Sequence, residues 1–114
     1  MKLSKVKKIL EAQVIVGHEK LDIEFTGGAA SDLMSDLLRN PKEGALMLTG
    51  LTSPQVIRTA LIAEMAGIVL VRGKKPNSKM IELAREHELP ILSTPLNMYT
   101  SCGRLFNKGL VSIR

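Results

Sequence analysis

The sequence predicts an α/β domain, three layers deep, with a mainly parallel sheet and helices on both faces. Three observations carry this. An apolar strand runs through a polar turn into a helix start at Ala45–Pro54, at Ile68–Ser78 and at Leu89–Asn97. Repeated units of that kind place parallel strands side by side, with their turns on one edge. The strands are near-continuous apolar runs (ALML, IVLV, PIL) rather than alternating ones, as befits strands buried on both faces. The chain has 114 residues, the size of one domain spanning 1–114, and is 45% apolar.

Leu3, Val6, Ile9 and Leu10 recur at helical spacing, with Lys2, Lys5, Lys7 and Lys8 on the remaining faces. Gln13–Val16 is a short β-branched strand closed by Gly17, and 18–22 is a turn. Ile23–Thr26 alternates like a strand, and Ala29 and Ala30 continue one after Gly27 and Gly28. Ser31 is an N-cap, with Asp32 in the first turn opposing the dipole; Leu33, Met34, Leu37 and Leu38 form the apolar stripe. Asn40-Pro41 ends that helix.

Ala45–Thr49 is a buried strand. Ser53-Pro54 opens the next helix as a cap followed by a proline, with Thr52 and Gln55 as an alternative capping box. Val56–Met65 is apolar nearly all round, which predicts burial on two sides, within the fold or against a second subunit. Ile68–Val71 is the most hydrophobic strand. Pro76, Asn77 and Ser78 start a helix whose last turn holds His87. Ile91-Leu92 is a further strand, Thr94-Pro95 repeats the cap-then-proline pattern, and a helix runs to about Phe106 with Gly103 allowing close packing. Val111–Ile113 is a last edge strand.

Composition excludes several classes. The one cysteine, Cys102, permits neither a disulfide framework nor a cysteine zinc site within one chain, and favours a reducing compartment. No apolar run reaches membrane-spanning length, and Glu11 and Gln13 interrupt a signal-peptide core, so the expectation is cytoplasmic with no membrane partner. A net charge of +5 suits phosphates, yet the basic clusters carry no interleaved aromatics, which argues against nucleic acid.

Ligands of parallel sheets bind beyond the carboxyl ends of the strands. Those ends supply Thr49, Gly50, Thr52, Ser53, Arg72, Gly73, Lys74, Lys75, Ser93 and Thr94. Hydroxyls, helix amides and cations form an anion edge, although the same hydroxyls would cap helices without any ligand. Neither a dinucleotide fingerprint nor a Walker A ending is present. His18 and His87 lack metal spacing, so no metal, cofactor or catalytic residue is expected. Asp32 and Asp36, one helical turn apart, could bind Mg²⁺ but read more simply as solvated carboxylates. Cys102, beside Leu105 and Phe106, reads as a buried, inert thiol.

Taken together, Thr26-Gly27-Gly28, SDLMSDLLR from Ser31, LMLTGLTSPQVIRTA from Leu46, VLVRGKKP from Val69 and PILST from Pro90 resemble the DRTGG domain family over nearly the whole chain. The five naming letters do not form one string; Asp22, Thr26, Gly27 and Gly50 match, with Arg58 as the arginine candidate. Thr26, Gly27, Gly28, Asp32 and Arg58 therefore join the anion edge as additional ligand-binding candidates. Such domains accompany CBS domains in regulated pyrophosphatases and the catalytic region of some phosphotransacetylases. They are similar to the non-catalytic N-terminal domain of HPr kinase/phosphorylase. The resemblance thus implies a stand-alone, non-catalytic regulatory or assembly module. It would homodimerise and sense a small anionic metabolite or nucleotide. The alternatives are a small phosphoryl-handling enzyme and an accessory subunit acting on a partner enzyme chain.

Overall fold

The computed structural model describes residues 1–113. The elements are α1 (Leu3–Ile9), β1 (Gln13–Val16), a 3₁₀ turn (His18–Lys20), β2 (Gly28–Ala30), α2 (Met34–Leu37), β3 (Leu46–Thr49), α3 (Pro54–Ile62), β4 (Gly67–Leu70), α4 (Ser78–Glu86), β5 (Ile91–Ser93) and α5 (Met98–Asn107). The sheet order is β1-β5-β4-β3-β2. Strands β2 to β5 are parallel, and β1 closes the far edge antiparallel to β5, with a register shift between Val14 and Val16.

From β2 to β5 the chain steps across the sheet in one direction, so α2, α3 and α4 all fall on one face. Val56, Ile57, Ala60, Met80 and Ala84 pack there on Met47, Ile68, Leu70 and Ile91. On the other face, Leu3, Val6, Leu10 and Leu105 from α1 and α5 pack on Val14, Leu46, Leu48, Val69, Val71 and Leu92. Alternate residues of β4 enter the two cores, which is why its sequence reads as an unbroken apolar run. The predicted three-layer α/β architecture is the one observed.

Several local expectations need correction. Helix α2 starts at Met34, not after Ser31. The Ser31 hydroxyl instead accepts from the Leu33 amide at 2.9 Å, and Asp32 is drawn to the loop after β3. The shortened helix buries Met34 and Leu37 but leaves Leu33 and Leu38 exposed. Ser53 occupies the N-cap position of α3 without a side-chain bond, so neither it nor Thr52 with Gln55 caps through a side chain. Thr94-Pro95 does not open α5; Asn97 does, accepting from the Thr100 amide at 2.8 Å. Asn77 caps α4 in the same way through the Met80 amide.

Helix α3 is buried on more than one side within the fold, as its surplus of apolar residues led one to expect. It buries Val56, Ile57, Thr59 and Ala60, and Ile62 is 70% exposed. Its apolar flanks serve α2 and α4, between which it lies, while its outer side faces water. The 23–26 segment is no strand. It makes one bridge, Lys2 to Glu24, and seals Phe25 against Gly67, where an added Cβ would come within 2.9 Å of the ring. The 111–113 segment likewise makes a single parallel bridge, Ser112 to Gly28. Gly103 is not at a tight contact: nothing lies within 4 Å of a Cβ built there.

Candidate functional site

The connections leaving β4 and β5 go to opposite faces of the sheet, toward α4 and α5. A crevice is expected between such diverging loops. Here backbone bonds tie the two loops together. The Arg72 amide donates to the Leu96 carbonyl and the Gly73 amide to the Thr94 carbonyl, both at 2.8 Å. Side chains complete the closure. The Ser93 hydroxyl donates to the Lys74 carbonyl and the Thr94 hydroxyl to the Leu10 carbonyl, each at 2.6 Å, and both residues are buried. Two hydroxyls expected to face a ligand therefore fasten loops, because a buried hydroxyl must find a partner inside the fold.

At the ends of β2 and β3, Asp32 has a similar duty. One carboxylate oxygen accepts from the Gly50 amide at 2.7 Å and from the Thr49 hydroxyl at 3.1 Å. The Thr49 oxygen in turn accepts from the Leu51 amide at 3.2 Å. Asp32 thus lies outside α2, and the one-turn spacing with Asp36 proposed for Mg²⁺ is not formed. Among the described residues, no group of three or more His, Cys, Asp or Glu is arranged to hold a metal ion.

Outward on this rim stand the cations of Arg72 and Lys74, with the exposed Asp32 carboxylate beside Gly50. Arg72 and Gly73 both adopt positive φ, 58° and 70°, in a tight turn closed by the Lys74 amide on the Val71 carbonyl at 3.2 Å. The turn lays the Arg72 guanidinium across Gly50, where an added Cβ would sit 2.5 Å from Nη2. Among the described residues, no carboxylate forms an ion pair with Arg72. Lys74 is exposed, and the Lys75 ammonium donates to the Gln13 side-chain oxygen at 3.0 Å on the protein surface. Thr52 is exposed and Ser53 partly so.

The remaining candidates lie elsewhere. Arg58 is on the exposed side of α3. Thr26, Gly27 and Gly28 stand at the amino end of β2, the opposite end of the parallel strands from the rim. There the Thr26 hydroxyl donates to the Glu43 carbonyl at 2.8 Å, and Gly27 admits the 111–113 backbone, with a Cβ-to-Val111-oxygen approach of 2.9 Å. These are packing roles.

Sequence reasoning did not single out a second concavity. A cavity of about 440 Å³ lies between α5, the outer edge of β2 and residues 110–112. Tyr99, Cys102, Gly103 and Phe106 line it at the i, i+3, i+4, i+7 spacing of one helix face, and that spacing was the available signal. Tyr99 is 90% and Phe106 69% exposed, whereas Leu105 is buried. Cys102 is half-buried, and burial pushes its thiol up from the ordinary range, so it is a weak nucleophile.

Comparison with known proteins agrees with this architecture. The family model described as the DRTGG domain matches residues 5–107. A crystal structure of the CBS and DRTGG domains of the regulatory region of Clostridium perfringens pyrophosphatase, complexed with the activator diadenosine tetraphosphate, superposes with a TM-score of 0.75 at 16% identity. The match covers 91% of this chain and 45% of that one, so the present chain spans under half of its structural neighbour. No curated protein matches the chain. No helix among the described residues is long and apolar enough to cross a membrane.

Proposed function

This chain belongs to the DRTGG domain family, and from that premise we propose that it is a non-catalytic regulatory module that senses a small phosphate-bearing ligand, nucleotides included, at the carboxyl rim of its sheet. One observation carries the reading. The Arg72 guanidinium lies at that rim beyond a constrained turn, against Gly50, and forms no ion pair among the described residues, although the Asp32 carboxylate reaches the same glycine. An arginine presented in this way offers a rigid, two-pronged donor to a phosphate. Lys74 and Lys75 add positive charge from the same loop. The similar fold in the pyrophosphatase regulatory region, from a structure that holds a nucleotide activator, supports the class of ligand.

Binding to the folded state raises stability, by about 2.7 kcal/mol at a hundredfold excess over Kd. Melting curves across a panel of nucleotides and phosphometabolites are therefore expected to show an upward shift with at least one member. Arg72→Ala is expected to abolish that shift while leaving the unliganded melting point within a few degrees. A flat panel, or an undiminished shift in the variant, would remove the reading.

Self-association is part of the same proposal, with the outer side of α3 around exposed Ile62 as the contact. Sedimentation is expected to report a dimer at micromolar concentration, and Ile62→Lys a monomer. A monomeric parent chain would eliminate the homodimer.

A further inference from the structure

The groove between α5 and β2 is on the α1/α5 face of the sheet and takes no part in the anion rim. We infer that it is a binding site for a small planar heteroaromatic ring. Its size decides between occupants. At about 440 Å³ it falls within the roughly 300–1,000 Å³ of small-molecule pockets. A second protein copy is less well served. Buried aromatics contribute roughly 150–250 Å² each. The two exposed rings would bring a symmetric pair to roughly 600–1,000 Å², short of the roughly 1,200–2,000 Å² of stable interfaces.

The chemistry of the walls points the same way. Tyr99 and Phe106 stand seven residues apart on α5, roughly 10 Å along its axis. Between them Gly103 leaves the floor open, with nothing within 4 Å of a Cβ built there. A flat ring of one or two cycles fits that interval against the helix, with an aromatic side chain at each end.

The opposite wall is the outer edge of β2. Gly28 uses its outward amide and carbonyl on Val111 and Ile113, at 2.8 and 3.0 Å. Strand alternation puts the amide and carbonyl of Ala30 on the same outer edge, where they have no backbone partner among the described residues. A neighbouring donor and acceptor on a β edge can pair with the edge of a heterocycle. Among the described residues no charged side chain lines the groove, which suits a neutral ring.

The protein supplies its own probe: Tyr99 is the single tyrosine and there is no tryptophan. Titration with adenosine, which carries no phosphate, is expected to change Tyr99 emission saturably after correction for absorbance. Gly103→Leu fills the floor and is expected to weaken adenosine at least tenfold. Its melting point should be unchanged or raised, since glycine is the poorer helix former. Silent Tyr99 emission up to millimolar adenosine overturns the inference, as does an unaltered titration in Gly103→Leu. If a nucleotide raises the melting point in an Arg72-dependent way while Tyr99 stays silent, the groove fails and the rim reading survives. Tyr99 emission that instead follows protein concentration, in step with sedimentation, would give the groove to a second copy and overturn the proposal.

Discussion

Leu92→Ala is expected to cost about 3–4 kcal/mol, a large share of the roughly 5–15 kcal/mol that holds a domain folded. Leu92 is fully buried in β5, between Val14 of β1 and Val69 of β4, beneath the layer of α1 and α5. Truncation there loses the transfer free energy of the side chain and leaves a cavity that cannot easily collapse. Strands on both sides hold the backbone in place, and the Thr94 bond to the Leu10 carbonyl fixes the helix layer above the strand end. The urea midpoint should fall with the slope unchanged, and the melting point should drop by roughly 10–20 °C. Leu33→Ala, at an exposed side chain just before α2, serves as the control and should stay within about 0.5 kcal/mol. A Leu92 loss below about 1 kcal/mol would mean that this core is not sealed.

Gly17→Ala is expected to cost roughly 2–5 kcal/mol, from two separate causes. Gly17 has φ 91° and ψ 37°, a left-handed conformation that costs an L-residue about 1–2 kcal/mol. A Cβ there would also meet Pro90, 2.8 Å from its Cβ and 3.0 Å from its Cα. The second contact is backbone, so relief requires moving the start of β5, at about 1–3 kcal/mol more. Gly109 separates the causes. It too has positive φ, 107°, yet nothing lies within 4 Å of a Cβ built there. Gly109→Ala should therefore show the strain alone. Equal losses in the two urea titrations would refute the Pro90 contact.

Neither contact could have been read along the chain. Gly17 was legible as a strand terminator, but Pro90 lies 73 positions later and meets it only because β1 returns antiparallel beside β5. Helix starts show the same limit. The helix after Pro76 was legible, but Ser78 looked as good a cap as Asn77, and it is Asn77 that accepts from the Met80 amide. Ser31 and Thr94 looked equally good as caps, yet one forms a local turn and the other bonds the Leu10 carbonyl. A hydroxyl takes whichever partner the assembled fold brings within reach.

The rim was legible in position and not in use. That Thr49, Arg72 and Ser93 would meet at one end followed from parallel strands. That Ser93, Thr94 and one oxygen of Asp32 would be spent on the loops, with Arg72 outward, depended on how far apart neighbouring loops come to rest. The groove was less legible still. Tyr99 and Phe106 are apolar, and apolar residues at helical spacing normally signal a buried face; here Leu105 is buried and they are not.

Patterning along the chain was sufficient for the layers, for the parallel strands and for the end at which a ligand could approach. These follow from periodicity, and periodicity is local. Which polar groups remain available, and which apolar face remains bare, depended on contacts between residues dozens of positions apart. Those contacts are distances, and they come into being only when the strands have taken their places in the sheet.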